Sequence, residues 1–211
     1  MTFLEIKRDL KEYCHEHETC TDGYSDLLQA ETPAAMWAIM KEHIIGMQSD
    51  RWCQHVAEHL KEWYDAFGDD ARKQGIYVNE NVRGAMVLVN NQDDFIADED
   101  ADYYVFGRTK ITAIGAARVH CQIKEAEVVL DGYGKSEVSN SRVLINGRST
   151  ATVTDCQMAE CRESATVLLM SGTLIDHGHL SITAYNGSVV YSISTKKIAL
   201  VAGATIKLLE E

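Results

Sequence analysis

Residues 51–63, "RWCQHVAEHLKEW", set His55, Glu58 and His59 in the order H-x-x-E-H. Some zinc peptidases use that order, with two imidazoles holding the metal and the carboxylate acting as base. On a helix, however, Trp52, Val56, Leu60, Trp63 and Phe67 fall within about 80° of arc, an apolar stripe that must be buried. His59 then lies beside Trp52 at the stripe's edge, while His55 and Glu58 are expected to face water. A peptidase centre also needs a distant third ligand. Glu137 is the downstream acid, and it falls on an expected strand. This segment therefore reads as a structural helix.

A second group is "CHEHETC", with Cys14, His17 and Cys20 spaced by three. Thiolate and imidazole are zinc ligands, and Cys53 or His55 could complete a tetrahedral site between helices. The spacing brings the three together only if the helix continues, and Cys14 and His17 also share an apolar stripe with Leu10 and Tyr13. In "DHGHL", His177 and His179 are two apart and would project from the same face of a strand. With Asp176 they could hold a metal or work as acid and base. A glycine between them equally suits a tight corner. The acids of "DDFIADEDAD" offer hard oxygen ligands for calcium, yet they lack the EF-hand glycine and spacing. That segment reads as a solvated loop joining two parts of the chain. No phosphate-binding glycine loop, nucleophile elbow or dinucleotide fingerprint is present. No catalytic residue is assigned, and zinc at Cys14, His17, Cys20, His177 or His179 is the one cofactor suggested.

The chain carries 32 Asp and Glu against 20 Lys and Arg, a net charge of −12 over 211 residues. Such a surface repels phosphate backbones and anionic headgroups, so neither nucleic acid nor membrane is an expected partner. No segment approaches the roughly twenty apolar residues of a membrane span. The opening "MTFLEIKRDLKEYC" has charges where a signal peptide would be apolar, which points to the cytoplasm and to reduced thiols.

Two textures divide the sequence. Residues 1–75 read as a bundle of about four helices. Thr2 and Glu5 form a capping box, and Thr32 with Pro33 starts the third helix. The fourth is expected from about Asp50 to Phe67. From 76 to 211 proline is absent, and short Val-, Ile- and Thr-rich segments alternate with Gly, Asn, Asp and Ser. Six of these place small or polar residues before a central valine: Val119, Val128, Val138, Val153, Val167 and Val189. Strands this short cannot bury a face alone and must stack. Ala117, Ala126, Ala151 and Ala165 suit a narrow core. The expected fold is α+β, with the helical bundle capping a β-solenoid of four or five coils, each of three strands and roughly 25 residues. The alternative is a β-sandwich, which also uses many short strands.

The pieces "GRTKITAIGAARVHC", "KEAEVVL", "GRSTATVTD" and "ESATVLL", preceded by helices, resemble uncharacterised bacterial and prophage proteins. Those join a short helical N-terminal segment to repeats of the "x-A-x-V-x-A-x-G-N" kind. The resemblance covers most of the chain and implies no catalytic residues. "QMAECRES" and "LIDHGHL" depart from the repeat spacing. The expected function is a non-enzymatic structural or protein-interaction role, with a rigid solenoid face and a protein partner or self-association. The alternative is a small metal-binding protein or metal-dependent hydrolase.

Overall fold

The computed structural model describes residues 1–17, 22–48, 50–177, 181–185, 187–193, 197–201 and 203–209. Helix α1 (Phe3–His17) opens on its capping box. Thr2 N donates to Glu5 Oε2 at 2.6 Å, and Glu5 N donates to Thr2 Oγ1 at 3.3 Å. After α2 (Asp22–Gln29), α3 (Pro33–Met47) starts with Thr32 Oγ1 accepting from Ala35 N at 3.2 Å. Helix α4 (Asp50–Lys73) runs beyond its expected end. Phe67 leaves helical geometry (φ −137°, ψ 30°), and the chain resumes the helix through Gly68. Burial of Ala71 and the pairs Arg72–Asp69 and Lys73–Asp70 hold those last turns.

The strands are β1 (Ile76–Val78), β2 (Met86–Asn90), β3 (Phe95–Ala97), β4 (Asp102–Phe106), β5 (Lys110–Gly115), β6 (Arg118–Cys121), β7 (Glu127–Gly132), β8 (Lys135–Ser139), β9 (Arg142–Gly147), β10 (Thr150–Thr154), β11 (Met158–Cys161), β12 (Thr166–Ser171), β13 (Thr173–Asp176), β14 (Ser181–Ala184), β15 (Val189–Ser192), β16 (Ile198–Leu200) and β17 (Thr205–Leu208). From β2 onward they alternate between two sheets. One runs β1-β2-β4-β6-β8-β10-β12-β14-β16, and the other runs β3-β5-β7-β9-β11-β13-β15-β17. Every described pairing is parallel and joins strands of neighbouring turns, for example Met86↔Asp102, Asp102↔Arg118 and Thr150↔Thr166. This is a β-solenoid of about seven turns. A sandwich of antiparallel strands is ruled out.

The winding differs from expectation. Each turn carries two strands, not three, and advances about 16 residues rather than 25, as the 86↔102 and 102↔118 registers state. The coil is flattened because its corners are only a few residues long. Several corners use left-handed backbone at Asn91, Asn140, Asp155, Gly107 and Gly147. The acidic segment is also not an interdomain loop. It carries β3 and the first corners, and four of its six acids are paired: Asp94 with Lys110, Glu99 with Arg83, and Asp100 and Asp102 with Arg118.

Alternate residues point into the narrow space between the sheets. Val119, Val128, Val138, Val153 and Val167 are all buried there, as are Ala117, Ala126, Ala151 and Ala165. Val189 departs from the pattern. Its neighbour Val190 is the buried one, in register with buried Leu174 of β13, so the expected inward position lies one residue early. Cys121 and Cys161 also face inward. Burial pushes the Cys121 thiol up to about 11 and Cys156 up to about 12, and it drives Cys161 upward as well, helped by the nearby Asp176 carboxylate.

The helices lie against the start of the solenoid. Leu88 and Phe106 are fully buried, including the side that faces away from the coil interior. The joint is hydrogen-bonded. Asn90 and Asn91 Nδ2 both donate to Ala57 O, at 2.8 and 3.0 Å. Gln48, fully buried, donates from Nε2 to Val105 O at 3.0 Å and to His120 O at 2.7 Å. Gly107 N–H points at Cys53 Sγ, 3.2 Å away.

Coil-to-coil spacing generates the first prediction. A Cβ on Gly134 would stand 2.0 Å from Ala117 O and 2.9 Å from Ala117 C, backbone atoms of the preceding turn. Gly134→Ala should therefore destabilise the fold by about 2–3 kcal/mol in denaturant titration. Gly46→Ala, in α3 with no atom within 4 Å of the new methyl, should instead stabilise by about 0.5–1 kcal/mol. The thiols give a second prediction. Alkylation of the native protein, mapped by mass spectrometry, should spare Cys121, Cys156 and Cys161 and modify them only after unfolding. Rapid native labelling at these three would contradict their burial.

Candidate functional site

Helix α4 carries His55 and His59 one turn apart, so their rings lie on neighbouring parts of one face. The rings are 4.7 Å apart. Helix α1 crosses this face and covers it. Tyr13 stacks on His55 at 4.1 Å and contacts Trp52 at 5.2 Å. Phe3 meets Phe67 edge-on at 6.2 Å. His55 is consequently only 7 % exposed, against the expectation that it faces water. Helix α4 is buried on more than its Trp52 stripe because α1 packs on one side and Cys53 and Ala57 face the solenoid on another.

The same crossing brings in Asp9. Its Oδ2 lies 3.1 Å from His55 Nε2. One ligand atom from each of Asp9, His55 and His59 lies within 4.8 Å of the others. Asp9 Oδ2, His55 Nε2 and His59 Nδ1 are all shielded from solvent, and none makes a hydrogen bond of acceptable geometry. Burial lowers the His55 pKa despite the attraction of Asp9, which keeps the imidazole neutral. Neutral imidazole is the form that binds metal. Sequence reading missed Asp9 because nothing in local spacing relates residue 9 to residue 55. The only signal was its place between the buried Ile6 and Leu10 of α1.

The other candidates separate. Glu58 is exposed and accepts from Gln54 Nε2 at 3.0 Å, so the H-x-x-E-H carboxylate is not part of the histidine group. Glu137 sits on β8 beside His120, with Oε2 3.8 Å from Nδ1. Cys20 and His179 lie outside the described residues, as do the side chains of Cys14 and His17. His177 follows β13, half-exposed, with Nε2 3.2 Å from Glu160 Oε2. Asp176 points the other way, into the core, where Ser192 Oγ donates to it. Strand alternation therefore puts Asp176 and His177 on opposite faces, so Asp176 does not join His177 in the group suggested for His177, His179 and Asp176. A cleft of about 470 Å³ between α4 and the solenoid corners is lined by mixed charges including Glu58, Arg108, Lys124 and Glu125. No nucleophile–base pair stands in it among the described residues.

The two ends of the solenoid are unlike. At the start, Asn81 Nδ2 donates to Ile96 O on the edge of β3 at 2.8 Å, and the Tyr103 hydroxyl donates to Asn81 Oδ1 at 2.7 Å. Ile76 and Val78 of β1 are buried. At the far end, β16 and β17 are the terminal strands of their sheets. Leu200 and Leu208 follow the rows of buried Ala184 and Ser192, yet they are 43 % and 62 % exposed. Val201 and Leu209 are exposed beside them. No helix among the described residues is long and apolar enough to cross a membrane.

No family model matches this chain, and neither a curated protein nor a solved structure matches it.

Proposed function

We propose that this protein is a non-catalytic assembly element: a rigid β-solenoid, closed by helices at one end, that pairs through its open end with a second copy of itself. The observation that carries this reading is the exposure of Leu200 and Leu208 in rows whose preceding members, Ala184 and Ser192, are buried, with Val201 and Leu209 exposed beside them. An edge of this kind offers both unpaired backbone groups and apolar surface. What best matches the outline of a flattened coil is another coil of the same outline. Head-to-tail stacking would meet β1, Asn81 and the helices at the other end. Tail-to-tail pairing about a two-fold axis avoids them and closes after two copies. It would set the edge strands antiparallel. The resemblance to bacterial and prophage helix-plus-repeat proteins is in keeping with a structural role. Reduced thiols and an acidic, helix-capped body also suit a cytoplasmic protein.

Sedimentation of the wild-type chain should give a dimer at micromolar concentration. Leu200→Glu combined with Leu208→Glu should give a monomer with an unchanged far-ultraviolet circular dichroism spectrum. A wild-type monomer at all accessible concentrations, or a dimer that survives the double substitution, would refute the reading.

A further inference from the structure

We infer that Asp9, His55 and His59 form a divalent transition-metal site, of the zinc class, that pins α1 to α4. This inference is independent of the assembly reading above.

Three atoms able to bind a metal converge from two helices, and all three are buried without a hydrogen bond. Buried polar atoms left in that state are costly, so three of them in one place call for a partner. A cation satisfies all three at once. The donor set, two imidazoles and one carboxylate, suits zinc and its neighbours in the first transition row. Calcium and magnesium prefer all-oxygen sites. Ligands around a tetrahedral zinc, at about 2.0–2.1 Å from the ion, stand about 3.3 Å apart. Asp9 and His55 are already at 3.1 Å. No pair in the group exceeds 4.8 Å, so closure asks for about 1.5 Å at most, within reach of side-chain rotation. The fourth position falls to water or to Glu62, whose Oε2 lies 4.0 Å from His59 Nδ1.

The alternative is a simple His55–Asp9 ion pair. It accounts for two of the three atoms and leaves the His59 ring nitrogen unanswered. The rings around the group, Tyr13 stacked on His55 and Trp63 stacked on His59, fix the imidazole planes, as second-layer contacts do around metals. They also cover the site, which fits a cross-link better than a reaction centre.

The test uses the full chain without a histidine tag, stripped with chelator and titrated with zinc chloride. One equivalent should bind, and the thermal midpoint should rise by several degrees. Cobalt(II) in place of zinc should give the visible bands of a nitrogen–oxygen site with no thiolate charge-transfer band in the near ultraviolet. Asp9→Asn and His59→Gln should each weaken zinc binding at least tenfold while the apo proteins keep the wild-type circular dichroism spectrum. The cobalt spectrum reads the wild type alone, so the inference is exposed even if a variant fails to fold. It is overturned if the wild type shows no saturable zinc binding, or if Asp9→Asn binds as tightly. It is overturned equally by a thiolate band that disappears in Cys14→Ser, which would place the ion on the Cys14–His17–Cys20 group instead.

Discussion

Every rung of this solenoid depends on its neighbour. A strand of four to six residues cannot satisfy its own backbone or bury its own side chains. Here each turn hands its N–H and C=O groups to the turns before and after it, some 16 residues away along the chain. The inward rows are filled by valine, isoleucine, leucine and alanine, with Cys121 and Cys161 used as small apolar residues. The tightness of the stack shows at Gly132 and Gly134, where the preceding turn's backbone occupies the space a side chain would need. What such a stack cannot supply is a partner for its first and last turns, and the rest of the molecule answers to that lack.

At the start the answer is built into the chain. Helix α4 leads directly into β1, and the solenoid's polar groups reach back to it through Asn90, Asn91 and Gly107. Gln48, at the α3 C-terminus, spans carbonyls on two successive strands of one sheet, β4 and β6. The helices thus recognise the stacked backbone as well as the apolar outer surface at Leu88 and Phe106. For α4 to do this it must be held on its opposite side, and α1 does so through Phe3, Tyr13 and the Asp9–histidine contact. The buried histidines stand where the bundle grips the helix that grips the solenoid.

Much of this was legible in the residues. The capping box at Thr2, the N-cap Thr32 before Pro33, the change of texture after Gly75 and the valine-centred segments led to helices followed by a solenoid. The number of strands per turn was not legible, because a corner of three or four polar residues looks the same whether the coil is triangular or flat. Only the pairing Met86↔Asp102 reveals the period. The acidic segment misled because its charge masked Phe95 to Ala97, a three-residue strand with Ile96 exposed. The pattern of small residues before a valine did not separate Val189 from Val190, and an error of one residue reverses the expected facing. The histidine site was half visible. The i, i+4 spacing of His55 and His59 is local and was seen, but the apolar stripe argued His55 into water. The stripe identifies one buried face of α4, whereas a helix held between a bundle and a sheet is buried on others too.

The asymmetry of the ends also sets where the molecule should be least stable. In a stacked array, stability is close to a sum of nearest-neighbour terms, so a rung with one neighbour holds less tightly than a rung with two. The inward positions stay buried from Val119 through Ile182, Ala184 and Val190, then lose cover at Ile198 and Leu200. Opening should therefore begin at residues 198–209 and travel toward the helices, with the first coils as the last to go. A second copy on the open rung would give β16 and β17 the neighbours they lack. An ion at Asp9, His55 and His59 would strengthen the other extreme. The two would act at opposite ends of one cooperative stack, and their effects on overall unfolding would add only insofar as the intervening turns unfold as a single unit.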